Sequence, residues 1–426
     1  MEKILRTVER LIPRKLYRRL QPLYHYLIAL LGAIIYRFPA KKLYVIGITG
    51  TKGKSTTAEM VNAILEEAGK KTVLTGTIRF KIGEQTIPNK FKMSMPGRFF
   101  LQKLLRDAVK VGCTHAVIEM TSEGSRFYRN KFIPLDAFVF TNITPEHIES
   151  HGSFEKYLQA KLDIARNIKN GKQFDTKLNP EKKTIGIINA DDEEFEKFNK
   201  INFDQKVSYC LSDVKPLDLS RGIKMRFGKS TIYSSLDGEF NAYNILAAAT
   251  LCENMGIGHE HIRKAIENLG EIPGRVQKIK GHDFEIVVDY AHTAESLEAL
   301  YKAFPKKRKV CVLGNTGGGR DRWKRSVMAK VAEKYCNEII LTNEDPYDED
   351  PMEIISEMKG AITKKEPAII LNRREAIKTA IKKAVPGSVV LITGKGTDPY
   401  IMEANGKKTP WSDYDVASEE LNNSIN

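Results

Sequence analysis

The sequence predicts an α/β protein with two doubly wound parallel domains in series, preceded by a short helical extension. Three observations predict it. Short apolar runs alternate with helix-forming patterns from Leu43 to Thr141 and again from Phe284 to Ile392, the spacing of parallel strands joined by crossover helices. The first of these runs stops in a glycine-rich turn that opens a helix, and the segment Gly270–Arg275 separates the two alternating blocks. The expected parts are residues 1–42, 43–272 and 273–426.

At 426 residues the chain can build two or three sizeable cores. Cysteines at 113, 210, 252, 311 and 336 form no C-x-x-C pair, which argues against a zinc site or a disulfide framework and predicts reduced thiols in the cytoplasm. The formal net charge is +15. That balance suits acidic substrates, nucleic acid or anionic lipid, and over the body of the chain a solvated Lys-rich surface is the plainer account. The basic residues show no aromatic interleaving and no nucleic-acid module, so nucleic acid is not an expected partner.

Residues 1–42 hold ten Lys/Arg against two Glu, so +8 of the charge lies in a tenth of the chain. Arg14, Lys15, Arg18 and Arg19 precede the apolar run Leu23–Tyr36, 14 residues long even with His25 counted. A spanning helix needs about 20 apolar residues, and no small-residue cleavage site follows. Two readings stay open: a helix buried against the next domain, and a basic, apolar helix lying on the inner face of the membrane.

From Lys42 to Thr57 the pattern is strand, glycine-rich loop, helix. Gly47, Gly50 and Gly53 let backbone N–H groups approach an anion closely. Within Gly50-Thr51-Lys52-Gly53-Lys54-Ser55-Thr56, Lys54 supplies a charge for β/γ phosphates and the Ser55 hydroxyl suits Mg²⁺. The spacing departs from a strict G-x4-G-K-[ST], because position 48 is Ile.

The elements that follow are a helix at Ser55–Ala68, a strand at Lys71–Thr75, a helix at Arg98–Val111 and strands at His115–Glu119 and Ala137–Thr141. Ligands of such sheets sit at the carboxyl ends of the strands. Glu119 and the pair Thr141-Asn142 end two of them, and a carboxylate there is a natural Mg²⁺ ligand; a surface acid or cap is the plainer alternative. His147 and His151 are four apart, but Pro145 and Gly152 interrupt the turn, so one histidine near the nucleotide and one structural histidine are expected. Lys161 alone reads as a solvated lysine. Ile185–Ile188 ends in Asn189, Asp191 and Asp192, and residues 203–236 read as a small antiparallel patch. Asn241 and Asn244 share a helical face and could meet a base or ribose, or cap the helix.

After Gly270–Arg275 the alternation restarts with strands near 284–288, 310–313, 338–341, 368–371 and 388–392. Four of them run into loops of binding character: Asp289-Tyr-Ala-His292, Gly314–Arg320, Thr342-Asn343-Glu-Asp345-Pro346 and Thr393-Gly394-Lys-Gly396. These should line one edge. The polar tail after Ser418 reads as fraying.

The motifs now in view carry a resemblance. Gly47-Ile-Thr-Gly-Thr-Lys-Gly-Lys-Ser55, Ile118-Glu-Met-Thr-Ser122, Asn142-x-Thr-x-Glu-His147, Tyr157-x-x-Ala-Lys161, Asn241-x-x-Asn244, Pro273-Gly-Arg275, Asp289-Tyr-Ala-His292, Gly317-Gly-Gly-Arg-Asp-Arg322 and Gly394-Lys-Gly396 occur in this order. The series resembles the Mur ligases, and within them the tripeptide synthetases that add the third residue of the peptidoglycan stem peptide. It spans about nine-tenths of the chain.

The resemblance implies an ATP-dependent acid–amino-acid ligase of the EC 6.3.2 type, monomeric, in cell-wall biogenesis. A carboxylate on a nucleotide-sugar- or lipid-linked peptide would attack the γ-phosphate of MgATP, and a free amino acid would displace phosphate from the acyl phosphate. Positioning and charge neutralisation would carry most of the catalysis, a task suited to Lys54, to Mg²⁺ on Ser55 and Glu119, and to Arg275. By resemblance, His147 would hold a second Mg²⁺, Lys161 would be carbamylated, and Asp289 and His292 would lie close to the nucleotide after closure. Arg320, Asn343, Asp345, Pro346, Tyr347, Gly394 and Asp398 would form the amino-acid site.

The departures set further expectations. Family members carry an N-terminal domain that grips the uridine diphosphate, whereas 42 residues precede the nucleotide strand here; a lipid-linked or altered acceptor follows as an expectation, with peripheral membrane contact through residues 1–40. The family's Ser-Ser-His after the magnesium glutamate is Thr121-Ser122-Glu123. Diaminopimelate-adding members have Asp-Asn-Pro-Arg where this chain has Glu344-Asp345-Pro346-Tyr347, and a tyrosine cannot form the arginine's bidentate carboxylate pair. L-lysine or another diamino or neutral amino acid is therefore expected. The competing readings are a folylpolyglutamate synthase and a membrane-attached nucleotide-binding subunit without ligase activity.

Overall fold

The computed structural model describes residues 14–424 except 171, 172, 174, 176, 281 and 282; the basic extension before Arg14 lies outside them. The chain divides into two compact units. The first holds the residues up to Ile143, Glu155–Tyr209 and Ala247–Ile257; the second holds Thr144–Phe154, Cys210–Leu246 and everything from Gly258 onward.

The first unit is built on an eight-stranded sheet. Its strands are β1 (Tyr44–Thr49), β2 (Thr72–Thr75), β3 (Arg79–Ile82), β4 (Gln85–Pro88), β5 (His115–Glu119), β6 (Ala137–Phe140), β7 (Ile185–Asn189) and β8 (Gln205–Tyr209). They lie in the order β4-β3-β2-β5-β1-β6-β7-β8. All pairs are parallel except β2–β3 and β3–β4. Every residue of β1 is buried, as a parallel strand covered on both faces must be. From β1 the chain passes to β2, returns through β3 and β4 to β5 beside β1, and then crosses to β6 on the other side of β1, so the glycine-rich turn sits where the direction of winding reverses. Ile48 pairs with Glu119 and Thr49 with Phe140. That register brings the loop after β1 out between Glu119 and Thr141.

Two details differ from the sequence reading. The hairpin β3–β4 was not anticipated: its strands are four residues each and carry Arg79, Lys81 and Gln85, with β4 wholly exposed, so no apolar alternation marks it. Residues 205–209 join this sheet in parallel with β7 instead of the antiparallel patch.

The N-terminal helix Arg14–Ile35 lies on the helix Arg98–Lys110. Ala29 and Ala33 are buried, Gly32 comes close to Phe99, and Tyr26 meets Tyr128 and Phe132. One side of the helix is thus packed, as one of the two readings has it. Its other side stays exposed.

His115 stacks on Tyr44 with ring centroids 5.4 Å apart. Burial, with a smaller contribution from Lys70, lowers its pKa from 6.5 to about 4. The folded state therefore resists the proton that the unfolded chain accepts. The neutral imidazole's contribution is complete above about pH 6.5 and is lost as pH falls toward 4. A loss on the order of 2–3 kcal/mol is expected across that window. His115→Phe, which keeps a ring on Tyr44, should flatten the acid limb of the thermal midpoint measured by circular dichroism; an unchanged slope would refute the assignment.

The second unit holds a three-stranded antiparallel sheet, β9 (Leu217–Asp218), β10 (Ile223–Phe227) and β11 (Ser230–Ser234), in the order β11-β10-β9. It also holds a six-stranded sheet of β12 (Gln277–Lys280), β13 (Glu285–Asp289), β14 (Lys309–Leu313), β15 (Glu338–Leu341), β16 (Ala368–Ile369) and β17 (Val389–Thr393). The order is β12-β13-β17-β14-β15-β16, and only β12 is antiparallel. Alternate residues of the central strands feed two cores. Cys311, Leu313 and Leu391 meet Leu297, Tyr301 and Met328, while Val310, Val312 and Ile392 meet Ile377, Ala380 and Val416. Helices therefore cover both faces, the Rossmann-like arrangement expected from the alternation.

Two expectations fail in this unit. Cys311 and Cys336 form a disulfide, with sulfurs 2.09 Å apart, where reduced thiols were expected; β14 and the end of the helix Trp323–Tyr335 bring them together in one core. The tail does not fray after Ser418. It continues the helix Asp413–Asn423, with Glu420 and Leu421 buried.

Candidate active site

The loop after β1 is closed by groups from neighbouring strand ends. Thr51 N donates to the Asn142 carbonyl at 2.8 Å, Lys52 N to Asn142 Oδ1 at 2.9 Å, and Thr141 Oγ1 to the Lys52 carbonyl at 2.6 Å. A Cβ on Gly50 would lie 1.8 Å from Thr141 Oγ1, so this position tolerates only glycine. Gly53, at φ 81°, caps the helix Lys54–Glu67 in the left-handed conformation. The loop thereby leads straight into a helix N-terminus, which favours an anion. Lys54 Nζ donates to the carbonyls of Gly50 and Thr51, both at 2.9 Å.

Glu119 is 1 % exposed at the end of β5. Its carboxylate accepts from Ser55 Oγ at 3.0 Å, from the Thr77 amide at 2.8 Å and from Ser94 Oγ at 3.0 Å. Ser55 and Glu119 therefore present adjacent hard oxygen donors, and this donor set fits Mg²⁺. Thr77 and Ser94, which orient the carboxylate, were not singled out from the sequence. Glu119 is a buried carboxylate, neither a surface acid nor the cap of the following helix, which is Thr121.

Lys161 corrects its plain sequence reading outright. It is 1 % exposed, not solvated. Its Nζ donates to the Gly50 carbonyl at 2.7 Å and sits 4.8 Å from the centre of the Tyr157 ring. Tyr157 Oη in turn meets Thr51 Oγ1 at 2.9 Å. Tyr157 and Lys161, one helical turn apart on Phe154–Ala165, thus both reach the phosphate loop. At the next strand end, Asn189 donates to the Thr141 carbonyl and Asp192 accepts from the Ile143 amide, both at 2.7 Å.

The remaining candidates belong to the second unit. His147, at φ 57°, precedes the one-turn helix Ile148–His151. Beside it, Glu146 Oε1 lies 3.2 Å from His292 Nε2 and 3.5 Å from Lys324 Nζ. Asp289 accepts from the Val276 and Ala291 amides, both at 2.7 Å, and so fixes the loop that carries Tyr290 and His292. Arg275 stacks over Tyr290, 4.5 Å from the ring centre. Asn244 Nδ2 donates to Asn241 Oδ1 at 3.0 Å, while Asn241 Nδ2 binds the Asp237 carbonyl at 2.8 Å. The two asparagines do share a face.

The loops after β14, β15 and β17 converge. Arg373, fully buried, pairs with both Asp413 oxygens at 2.8 and 2.7 Å and donates to the Thr393 carbonyl at 2.8 Å and the Asn343 carbonyl at 3.2 Å. One guanidinium thereby ties two loops to the C-terminal helix. Lys395 Nζ lies 2.7 Å from Asp345 Oδ1 and 3.6 Å from Asp398 Oδ2. Tyr347, at φ 52°, takes its N–H to the Met402 carbonyl while its ring sits against Gly318. Pro346 crosses Gly317 at close range, and Arg320 at the end of that loop is exposed.

Glu344 was quoted in the sequence motif but not singled out as a site residue. It is 3 % exposed, its Oε1 accepts from Thr316 Oγ1 at 2.8 Å, and its Oε2 has no hydrogen-bond partner among the described residues. Burial raises its pKa, opposed by Arg373. A Cβ on Gly394 would fall 2.2 Å from Oε2, so only glycine lets this carboxylate pack against the loop after β17.

Comparison with known proteins decides what these loops belong to. Residues 48–252 match the Mur ligase middle domain and residues 274–396 the domain described as Mur ligase, glutamate ligase domain. The chain is 35 % identical over 394 residues to the UDP-N-acetylmuramoyl-L-alanyl-D-glutamate–2,6-diaminopimelate ligase of Aquifex aeolicus, covering 90 % of this chain and 78 % of that protein. The chain belongs to the Mur ligase family. It is an ATP-dependent acid–amino-acid ligase of peptidoglycan biosynthesis. A UDP-N-acetylmuramyl-tripeptide synthetase of Roseiflexus is 34 % identical, over 92 % of this chain and 81 % of that one. A solved UDP-N-acetylmuramoyl-L-alanyl-D-glutamate–2,6-diaminopimelate ligase superposes with a TM-score of 0.60 at 28 % identity, covering 90 % of this chain and 79 % of that one. The Mur ligase fold accounts for the α/β architecture, and none of the described helices is long and apolar enough to cross a membrane.

Proposed function

We propose that this Mur ligase joins an amino acid carrying a side-chain ammonium to a muramoyl-peptide carboxylate through an acyl phosphate. The observation that carries the reading is the cluster of Lys54, Ser55, Glu119 and Lys161 around one anion-binding loop. Lys54 and the loop amides hold the β and γ phosphates of ATP, and their fixed charges stabilise the oxygens on which charge develops. Ser55 and Glu119 would hold Mg²⁺, which would supply charge neutralisation for the phosphates. Lys161, as a carbamate formed from its amine and CO₂ with loss of a proton, would add a carboxylate-like anion for that metal; His147 would hold a second Mg²⁺, and Arg275 would supply a cation for the acyl phosphate.

The acceptor carboxylate opens the reaction by attacking the γ-phosphorus, and ADP leaves. The amino acid, bound by the loops around Arg320, Asn343–Tyr347 and Gly394–Asp398, attacks the acyl carbon through its α-amine and expels phosphate. Asn241, Asn244, Asp289 and His292 act on the nucleotide side. The domain division of this reading is residues 43–272 for ATP and 273–426 for the amino acid. The relatives' names speak for a UDP-linked acceptor. The exposed apolar side of the N-terminal helix favours a second reading, a lipid-linked acceptor met at the inner membrane face.

The test is phosphate release from ATP and Mg²⁺ with a UDP-muramoyl dipeptide, or a lipid-linked muramoyl dipeptide, against L-lysine, L-ornithine, diaminopimelate and L-alanine. Release should require an acceptor together with one of the diamino acids. No release with either acceptor and any of the four amino acids would sink the reading.

A further inference from the structure

The N-terminal helix Arg14–Ile35 presents an apolar ridge that nothing among the described residues covers. Leu20, Leu23, Tyr24, Leu27, Leu31 and Ile34 recur at intervals of three and four, and so share one face. All are exposed; Leu23 and Ile34 are each 54 % accessible. From Leu20 to Ile35 the rise of the helix makes the ridge about 22 Å long. The opposite side is already occupied, by Phe99 under Gly32 and by Phe127, Tyr128 and Phe132 under His25 and Tyr26. The ridge therefore points away from its own unit's core.

Charge selects the occupant. The stretch from Arg10 to Ala58 contains no Asp or Glu, while the helix sequence includes Arg14, Lys15, Arg18 and Arg19. Arg37, Lys41 and Lys42 follow it and are exposed, as are Arg126 and Lys131 beside the rings on which the helix rests. Asp107, on the helix beneath, is engaged by Lys103 and Lys110. A second copy of this helix would bring like charges together with no counter-charge of its own, which disfavours a homotypic pair. An anionic bilayer offers both an apolar layer for the ridge and negative charge for its flanks.

We propose that this face is a peripheral docking surface for an anionic membrane, on which the helix lies in the interface plane without crossing it. This deepens the reading of residues 1–40 as a membrane contact, and it stands apart from the ligase chemistry, which is assayed without vesicles. Full-length protein should float with vesicles of phosphatidylcholine containing phosphatidylglycerol. It should float several-fold less with phosphatidylcholine alone, and less again in high salt. The triple variant Leu23→Glu, Leu27→Glu, Leu31→Glu, altered only at exposed positions, should stay at the bottom of the gradient with its thermal midpoint and its vesicle-free phosphate release unchanged. Equal flotation with neutral vesicles, flotation of the triple variant, or absence of flotation would overturn the proposal. So would a dimer, detected by light scattering, that the triple variant dissolves, since the ridge would then serve a second copy. Failure of phosphate release with intact flotation would count against the ligase reading alone.

Discussion

Lys161→Ala is expected to lower phosphate release by about 10²–10³-fold, and acetate or another short carboxylate is expected to restore part of it. A solvated lysine would give no such loss. The side chain is instead sealed between Tyr157 and the Gly50 carbonyl, at the edge of the phosphate loop. Truncation does two things at once: it leaves the Gly50 carbonyl without that donor, and it removes whatever charge the side-chain end carries. The rescue separates them. A carboxylate diffusing into the vacated space replaces a carbamate and not an ammonium, whereas an alkylamine replaces the ammonium alone. Rescue by ethylamine but not by acetate would leave Lys161 as a cation that steadies the loop, and the carbamate would be discarded. Lys161→Arg, which keeps a cation and cannot be carbamylated, should be as impaired as alanine. Full activity in that variant would refute the carbamate directly.

The same residue marks the limit of what the chain reveals before folding. The phosphate loop is legible because every part of it is local: strand, glycines, lysine, hydroxyl and helix lie within fourteen residues of one another, Tyr44 to Thr57. Glu119 is legible one step further out, because a parallel strand must end at the same edge. Lys161 is not, since its helical neighbours give no sign that its turn leads back to Gly50; only the Tyr157-x-x-Ala-Lys161 resemblance raised it. Glu344 stayed hidden for a different reason. Its sequence context of Asp and Pro resembles a solvated turn, and its burial depends on Arg373, 29 residues away, holding the Asn343 and Thr393 carbonyls together. The disulfide between Cys311 and Cys336 was missed because partners 25 residues apart carry no periodic signal, and the hairpin β3–β4 because its short strands, β4 wholly exposed, show no apolar alternation.

Glu344→Ala should raise the KM for a diamino acid by about 10²-fold, the scale of one buried hydrogen bond to a charged group, with a much smaller change in kcat. An unpaired carboxylate oxygen in a closed interior is unfavourable unless a ligand meets it, and Oε2 is such an oxygen. Two nearby acids are already engaged: Asp345 lies against Lys395 and the Met402 amide, and Asp398 stands near the same lysine. Glu344 is the carboxylate with an acceptor to spare. An ammonium is the ligand that satisfies it, because a carboxylate or an alkyl group would leave the oxygen repelled or unsolvated. Burial already holds this carboxyl above the usual glutamate range, so its ionised form is depleted as pH falls, and affinity for the diamino acid should weaken in the same direction. Glu344→Gln keeps the shape and the bond to Thr316 but cannot ionise. Its KM should therefore be raised and its acid-side slope flattened. If alanine and glutamine variants both keep the wild-type KM for lysine, ornithine and diaminopimelate across the pH range, Glu344 does not read the side chain, and selection must come from Asp398 and Tyr347 instead.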